Sequence, residues 1–148
     1  MLAQPLELAS PERASARHLV LIVDDDETIS EALSIRLGHQ GFDTLVARSG
    51  KAALEQARHQ QPDCILLDLG LPDVDGFELC QDLVDSPNTC DIPVIIVSGM
   101  EHPRIIRRCR AAGCYYYVRK PYDPNVLLTL IRRAIDEAGG GEVEEIDA

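Results

Sequence analysis

Five short apolar runs, each followed by a stretch with helical spacing, restrict this chain to very few folds. The runs are Leu19–Val23, Thr44–Ala47, Cys64–Leu67, Val94–Val97 and Tyr115–Val118. Four of them are nearly unbroken apolar or β-branched sequence, as expected of strands covered on both faces in a parallel sheet. Strand alternating with helix, joined by right-handed crossovers, gives an open doubly wound α/β sheet with five strands and five helices. In such a sheet ligands bind beyond the carboxyl ends of the strands.

The helix boundaries carry their own signals. Thr28–Ile29–Ser30–Glu31 is a capping-box pattern, predicting a first helix that buries Ile29, Leu33 and Leu37. Ser49 can cap a second helix with Ala53, Leu54 and Ala57 inward. Asp75 and Glu78 can box a third, and Pro103 suits the first turn of a fourth. Asp123–Pro124 offers a cap followed by proline at N1 of a fifth, continuing as Val126, Leu127, Leu130, Ile131 and Ala134. Gly41 and Gly113 stand where helices should end.

A length of 148 residues suits one domain, expected over 18–137. Residues 1–17 read as a loose extension, and 138–148, glycine followed by acid, as a flexible tail or the start of a linker. No apolar run reaches the roughly 20 residues of a membrane span. The N-terminus has no apolar core or basic flank of a secretory signal, so a cytoplasmic location is expected. The five cysteines include no C-x-x-C pair, which suits neither zinc nor a disulfide framework; they read as small apolar fillers and free thiols in a reducing compartment, with redox sensing by Cys109 and Cys114 as the alternative. A net charge of −11 argues against direct nucleic-acid binding and towards cations and protein partners.

The strand ends hold a consistent set of polar residues. Asp24, Asp25 and Asp26 follow the first strand, Asp68 the third, Ser98 the fourth and Lys120–Pro121 the fifth. If the first and third strands are neighbours, several carboxylates meet. Two such charges about 5 Å apart repel by roughly 3 kcal/mol at an effective dielectric near 20. The cluster therefore calls for a cation, and hard oxygen ligands in a shallow, wet site suit Mg²⁺ (or Mn²⁺). Beside that cation and the lysine ammonium, Asp68 is a carboxylate able to attack phosphorus, with Ser98 as a hydrogen-bond donor to a phosphoryl oxygen. Nothing in the set acts as a general base on a separate substrate, so the site is expected to modify itself rather than turn over as an enzyme.

The segments LVLIVDDDE, PDCILLDLGLPDVDGFELC, IPVIIVSG and AGCYYYVRKPYDP resemble the receiver domain of bacterial response regulators, from about Leu19 to Ile135. The resemblance implies a flavodoxin-like sheet of order 2-1-3-4-5. It implies that Asp24 and Asp25 hold Mg²⁺, Asp25 directly, with the backbone carbonyl of Gly70, and that Asp68 is the phosphoacceptor. It implies that Ser98 and Tyr117 are the switch pair and Lys120 the phosphate-pairing lysine, with a cis bond before Pro121. The implied partners are a sensor histidine kinase or histidine phosphotransfer protein, and an effector or output domain. The readout face is the fourth helix, fifth strand and fifth helix, through which a homodimer can also form. Helical spacing puts Arg104, Arg107 and Arg108 on one face of that fourth helix, a surface for an acidic partner or a dimer. Strand alternation puts Tyr115 and Tyr117 on one face and Tyr116 on the other.

Other readings compete. Asp24-Asp25-Asp26-Glu27-Thr28 also satisfies the D-x-D-x-T motif of haloacid-dehalogenase-like phosphatases, with Asp24 as nucleophile and Asp26 as acid/base. That leaves LLDLGLPDVDG unexplained and has Glu27 where glycine is expected. A flavodoxin needs donors in its first loop, where this chain has three aspartates. A non-phosphorylated pseudo-receiver is opposed by the complete acidic, Ser and Lys set. Gly70 and Met100, two residues after Asp68 and Ser98, depart from the commoner receiver pattern and are expected to set how long a phosphoryl group survives.

Overall fold

Burial from both sides makes the apolar runs a parallel sheet. The computed structural model describes residues 17–101 and 103–140, so the expectations for 1–16 and 141–148 fall outside the described residues. The elements are β1 (Leu19–Val23), α1 (Glu27–His39), β2 (Asp43–Ala47), α2 (Gly50–Gln60), β3 (Cys64–Leu67), α3 (Gly76–Asp85), β4 (Val94–Ser98), α4 (Ile105–Ala112), β5 (Tyr116–Arg119) and α5 (Pro124–Gly140). All pairings are parallel and the order is β2-β1-β3-β4-β5, as the resemblance implies. Every residue of the three central strands is buried.

Alternate strand residues feed two cores, because successive side chains point to opposite faces. Leu21, Val23, Ile65, Leu67 and Ile96 pack with Ala53, Ala57, Leu79, Leu83 and Cys109 from α2, α3 and α4. Val20, Ile22, Leu66, Ile95 and Val97 pack with Leu37, Leu127 and Ile131 from α1 and α5. Tyr117 joins the first cluster, but Tyr115 joins the second together with Tyr116. The expected alternation fails at Tyr115 because β5 begins one residue later, at Tyr116.

The helix starts are partly corrected. Ser49 and Asp75 cap α2 and α3, accepting from Ala52 N and from Phe77 N and Glu78 N. Asp123 accepts from Asn125 N at the start of α5. For α1 the cap is Asp26, which accepts from Ile29 N at 3.1 Å, and Thr28 lies inside the first turn. Ile29 is exposed, Leu33 half-buried and Leu37 buried, so the expected face is covered only towards the C-terminal end of α1. In α5, Val126 is likewise exposed and Leu128 buried. Pro103 and Arg104 form a turn ahead of α4, which starts at Ile105 without a side-chain cap.

The first helix ends at Gly41, whose φ of 96° is open to glycine. The second ends at Gln61, left-handed at φ 48° without being glycine. Its Nε2 offsets that strain by donating to the carbonyls of Ala57, Arg58 and Asn88. Arg17, expected in the loose extension, donates to Asp43 and to the Gly38 and Phe42 carbonyls, and α5 continues through Gly140. No helix among the described residues is long and apolar enough to cross a membrane.

Candidate functional site

Strand register brings the expected residues to one edge. Val23 pairs with Leu67, so Asp24 and Asp68 leave β1 and β3 side by side. Their amides stay in the sheet pattern: Asp24 N donates to Ala47 O and Asp68 N to Val23 O, both at 3.0 Å. Ser98 ends β4 opposite Arg119, and Lys120 N donates to the Ser98 carbonyl at 3.0 Å. The backbone alone thus fixes four of the functional positions.

Side chains complete the arrangement. One carboxylate oxygen from each of Asp24, Asp25 and Asp68 lies within 4.8 Å of the others. Lys120 Nζ stands 3.4 Å from Asp24 Oδ2 and 3.3 Å from Asp68 Oδ2. The remaining oxygens accept from loop amides, Asp24 Oδ1 from Asp26 N at 2.9 Å and Asp68 Oδ1 from Gly70 N at 3.1 Å. Asp24 is buried, Asp68 half-buried and Asp25 exposed, so the cluster opens to solvent on the Asp25 side.

The electrostatics follow from that geometry. Burial, helped by neighbouring Asp68, pushes the Asp24 carboxyl above its ordinary value, against the pull of the Asp26 amide and Lys120. Burial works against the Lys120 charge, but Asp68 and Asp24 outweigh it and hold the ammonium above the usual lysine range. Three carboxylates and one ammonium leave two negative charges uncompensated. Oxygen-only donors with that balance fit a hard divalent cation better than zinc, whose protein sites are mostly built with histidine nitrogen or cysteine sulfur.

Around this cluster the remaining candidates are held less tightly. Ser98 is buried and its Oγ accepts from Met100 N at 3.0 Å. Tyr117 is half-buried, its hydroxyl 3.5 Å from the carbonyls of Ser98 and Met100, beyond usual hydrogen-bond lengths. A side chain at Gly70 would have open space, meeting only Asp68 Oδ1 at 3.9 Å, and Met100 is exposed. The Lys120–Pro121 bond is cis, as the resemblance implies. Of the three arginines expected on one face of α4, Arg108 stacks on the Phe77 ring of α3 at 4.1 Å.

One contributor escaped the sequence reading. Asp73 accepts from Gly50 N at 2.8 Å and Lys51 N at 3.3 Å, pinning the loop after β3 to the start of α2. The Gly50 amide is the main reason its carboxyl sits below the ordinary range. Behind it, a Cβ at Gly50 would meet Val74 at 2.5 Å, and one at Gly76 would meet the Leu69 backbone at 2.6 Å. No local pattern links residues 73 and 50.

Fold and site together define a doubly wound domain with an acidic, lysine-bridged cluster at its carboxyl edge. Residues 20–132 match the response regulator receiver domain, and the chain belongs to that family. It is 38% identical over 113 residues to the DNA-binding dual master transcriptional regulator RpaA of Synechocystis sp., covering 76% of this chain and 47% of that protein. It is 37% identical over 129 residues to the transcriptional regulatory protein CseB of Streptomyces coelicolor, covering 85% and 54%. The chain spans about half the length of these curated relatives. A CheY-like receiver domain from Methanospirillum hungatei JF-1 superposes with a TM-score of 0.79 at 26% identity, covering 85% of this chain and 99% of that one.

Proposed function

We propose that Asp68 accepts a phosphoryl group from a phosphohistidine donor, a sensor histidine kinase or a histidine phosphotransfer protein. An Asp68 oxygen forms the new O–P bond as the donor's N–P bond breaks, leaving the imidazole neutral. Asp24, Asp25, Asp68 and the Gly70 carbonyl are the residues that would hold Mg²⁺ or Mn²⁺, which supplies charge neutralisation to the phosphoryl oxygens. Lys120 pairs with the same oxygens. Carrying this reading is the Lys120 ammonium bridging Asp24 and Asp68 at 3.4 and 3.3 Å beside a third carboxylate.

The added charge, roughly −1.5 to −2, draws the Ser98 hydroxyl towards it and lets Tyr117 turn inward. The readout is the α4–β5–α5 face, read by an effector or output domain or by a second copy of the chain. The domain is a signalling element, acting on itself and not on a separate substrate, in the cytoplasm. The DNA binding named for RpaA belongs to that protein; a chain with a net charge of −11 is poorly suited to it.

Incubation with acetyl phosphate and Mg²⁺, then borohydride trapping and peptide mapping, tests the assignment. Label at Asp68 is expected. Label at Asp24 supports the phosphatase reading, in which Asp26 would need the carboxylate that caps α1. Absence of any label, with no Mg²⁺ binding, supports the pseudo-receiver.

A further inference from the structure

The thiols at the junction of α3, α4 and β5 have no part in the chemistry above. Gly113, at φ 91°, ends α4; its amide donates to Arg110 O at 3.1 Å, and Cys114 N donates to Cys109 O at 3.3 Å. Those two bonds form a Schellman motif, which folds the residue after the glycine back over the last turn of the helix. An apolar contact usually joins the two positions so apposed. Here both are cysteines, so the motif apposes two thiols.

The two thiols are unlike each other. Contact with Cys114, and after it the Arg108 charge, hold Cys109 below the ordinary thiol range against burial, while the same contact and burial raise Cys114 well above it. Cys109 is buried but Cys114 is half-exposed, so the pair reaches the surface. Cys80, in the same core cluster, donates to Ala112 O at 3.4 Å, and burial pushes it up to about 12, which keeps it a thiol. The helix carrying Cys109 has eight residues and no side-chain cap at its start, placing it among the elements that open locally at low cost.

We propose that Cys109 and Cys114 are a reversible oxidation site, closing to an intrachain disulfide when hydrogen peroxide reaches them and stapling the end of α4 to the approach to β5. The Cys109 sulfur attacks one peroxide oxygen; the O–O bond breaks, water leaves, and Cys109 becomes a sulfenic acid. The Cys114 sulfur then attacks that sulfur; the S–S bond forms, the S–O bond breaks, and the hydroxyl leaves as water with the Cys114 proton. Two thiols are oxidised and the peroxide is reduced to two waters. Small thiols reverse the bond by exchange.

Peroxide treatment of the full chain, alkylation of remaining thiols and tryptic mapping tests this. The expected product joins the Cys109–Arg110 fragment to the fragment Ala111–Arg119, and dithiothreitol abolishes it. In Cys114→Ser, Cys109 should accumulate as a dimedone-reactive sulfenic acid; in Cys80→Ala, the disulfide should still form. Free Cys109 and Cys114 at a peroxide dose that oxidises exposed Cys90 would overturn the proposal. So would a bond from Cys109 to Cys80, or loss of the disulfide in a folded Cys80→Ala protein.

Discussion

The two ends of the site are built differently. On the β1–β3 side each buried or half-buried carboxylate has one oxygen on a loop amide and the other near Lys120, and the loops are fixed by Asp73 and by close packing at Gly50 and Gly76. On the β4–β5 side the Tyr117 hydroxyl makes two contacts at 3.5 Å, α4 starts without a side-chain cap, and Met100 and Ile106 are exposed. An ion pair between Arg119 and Glu101 spans that side, but both side chains are exposed, where such pairs contribute little. The contrast suits the proposed switch: the groups assigned to the chemistry are held more closely than those assigned to report it.

The largest effects are expected at Asp68, Lys120 and Gly76. Asp68→Asn should abolish phosphorylation from acetyl phosphate while leaving the fold intact, as seen by circular dichroism. Lys120→Ala should slow phosphoryl acceptance by about 10²–10³-fold, the usual cost of removing one preorganised charge-stabilising group. Gly76→Ala drives a methyl into the Leu69 backbone beside Asp68 and should cost about 1–3 kcal/mol in urea unfolding. A Gly76→Ala protein as stable as the parent would show that the loop is not held as described.

Where a side chain has room beside the acceptor, on either side of the site, chemistry should survive. Polar residues replacing Gly70 and Met100 should alter the lifetime of the phosphorylated protein severalfold without preventing its formation, since both positions have room. Unchanged decay would remove these positions from the account.

The smallest effect concerns Asp73, and its sign follows from the depressed carboxyl. A group whose pKa falls on folding stabilises the fold above its unfolded value and loses that contribution as pH falls through the folded value. Asp73→Asn should therefore lower the melting temperature slightly at neutral pH and make no difference in acid. A deficit that grows in acid would contradict the assigned bond.

The sheet and the acidic edge were readable because strands buried on both faces write unbroken apolar runs, and each run ends where its polar residue begins. The helix faces were less readable. In Asp-Asp-Glu-Thr-Ile-Ser-Glu two capping patterns overlap, and Asp26 prevails, starting α1 before Thr28; Ile29, in the first turn, stays exposed because the sheet is reached only further along the helix. Tyr115 misled because three tyrosines in a row do not say where a strand starts. The Asp73 bond to Gly50 was invisible because it depends on the packed arrangement of two loops.

Amide hydrogen exchange, measured with and without Mg²⁺ and acetyl phosphate, tests the central contrast directly. Protection should change across Ser98–Ala112 and Tyr116–Arg119 and stay constant in β1 and β3. A protein carrying phosphate on Asp68 with no change in α4 or β5, or with its main change in β1 and β3, would contradict it.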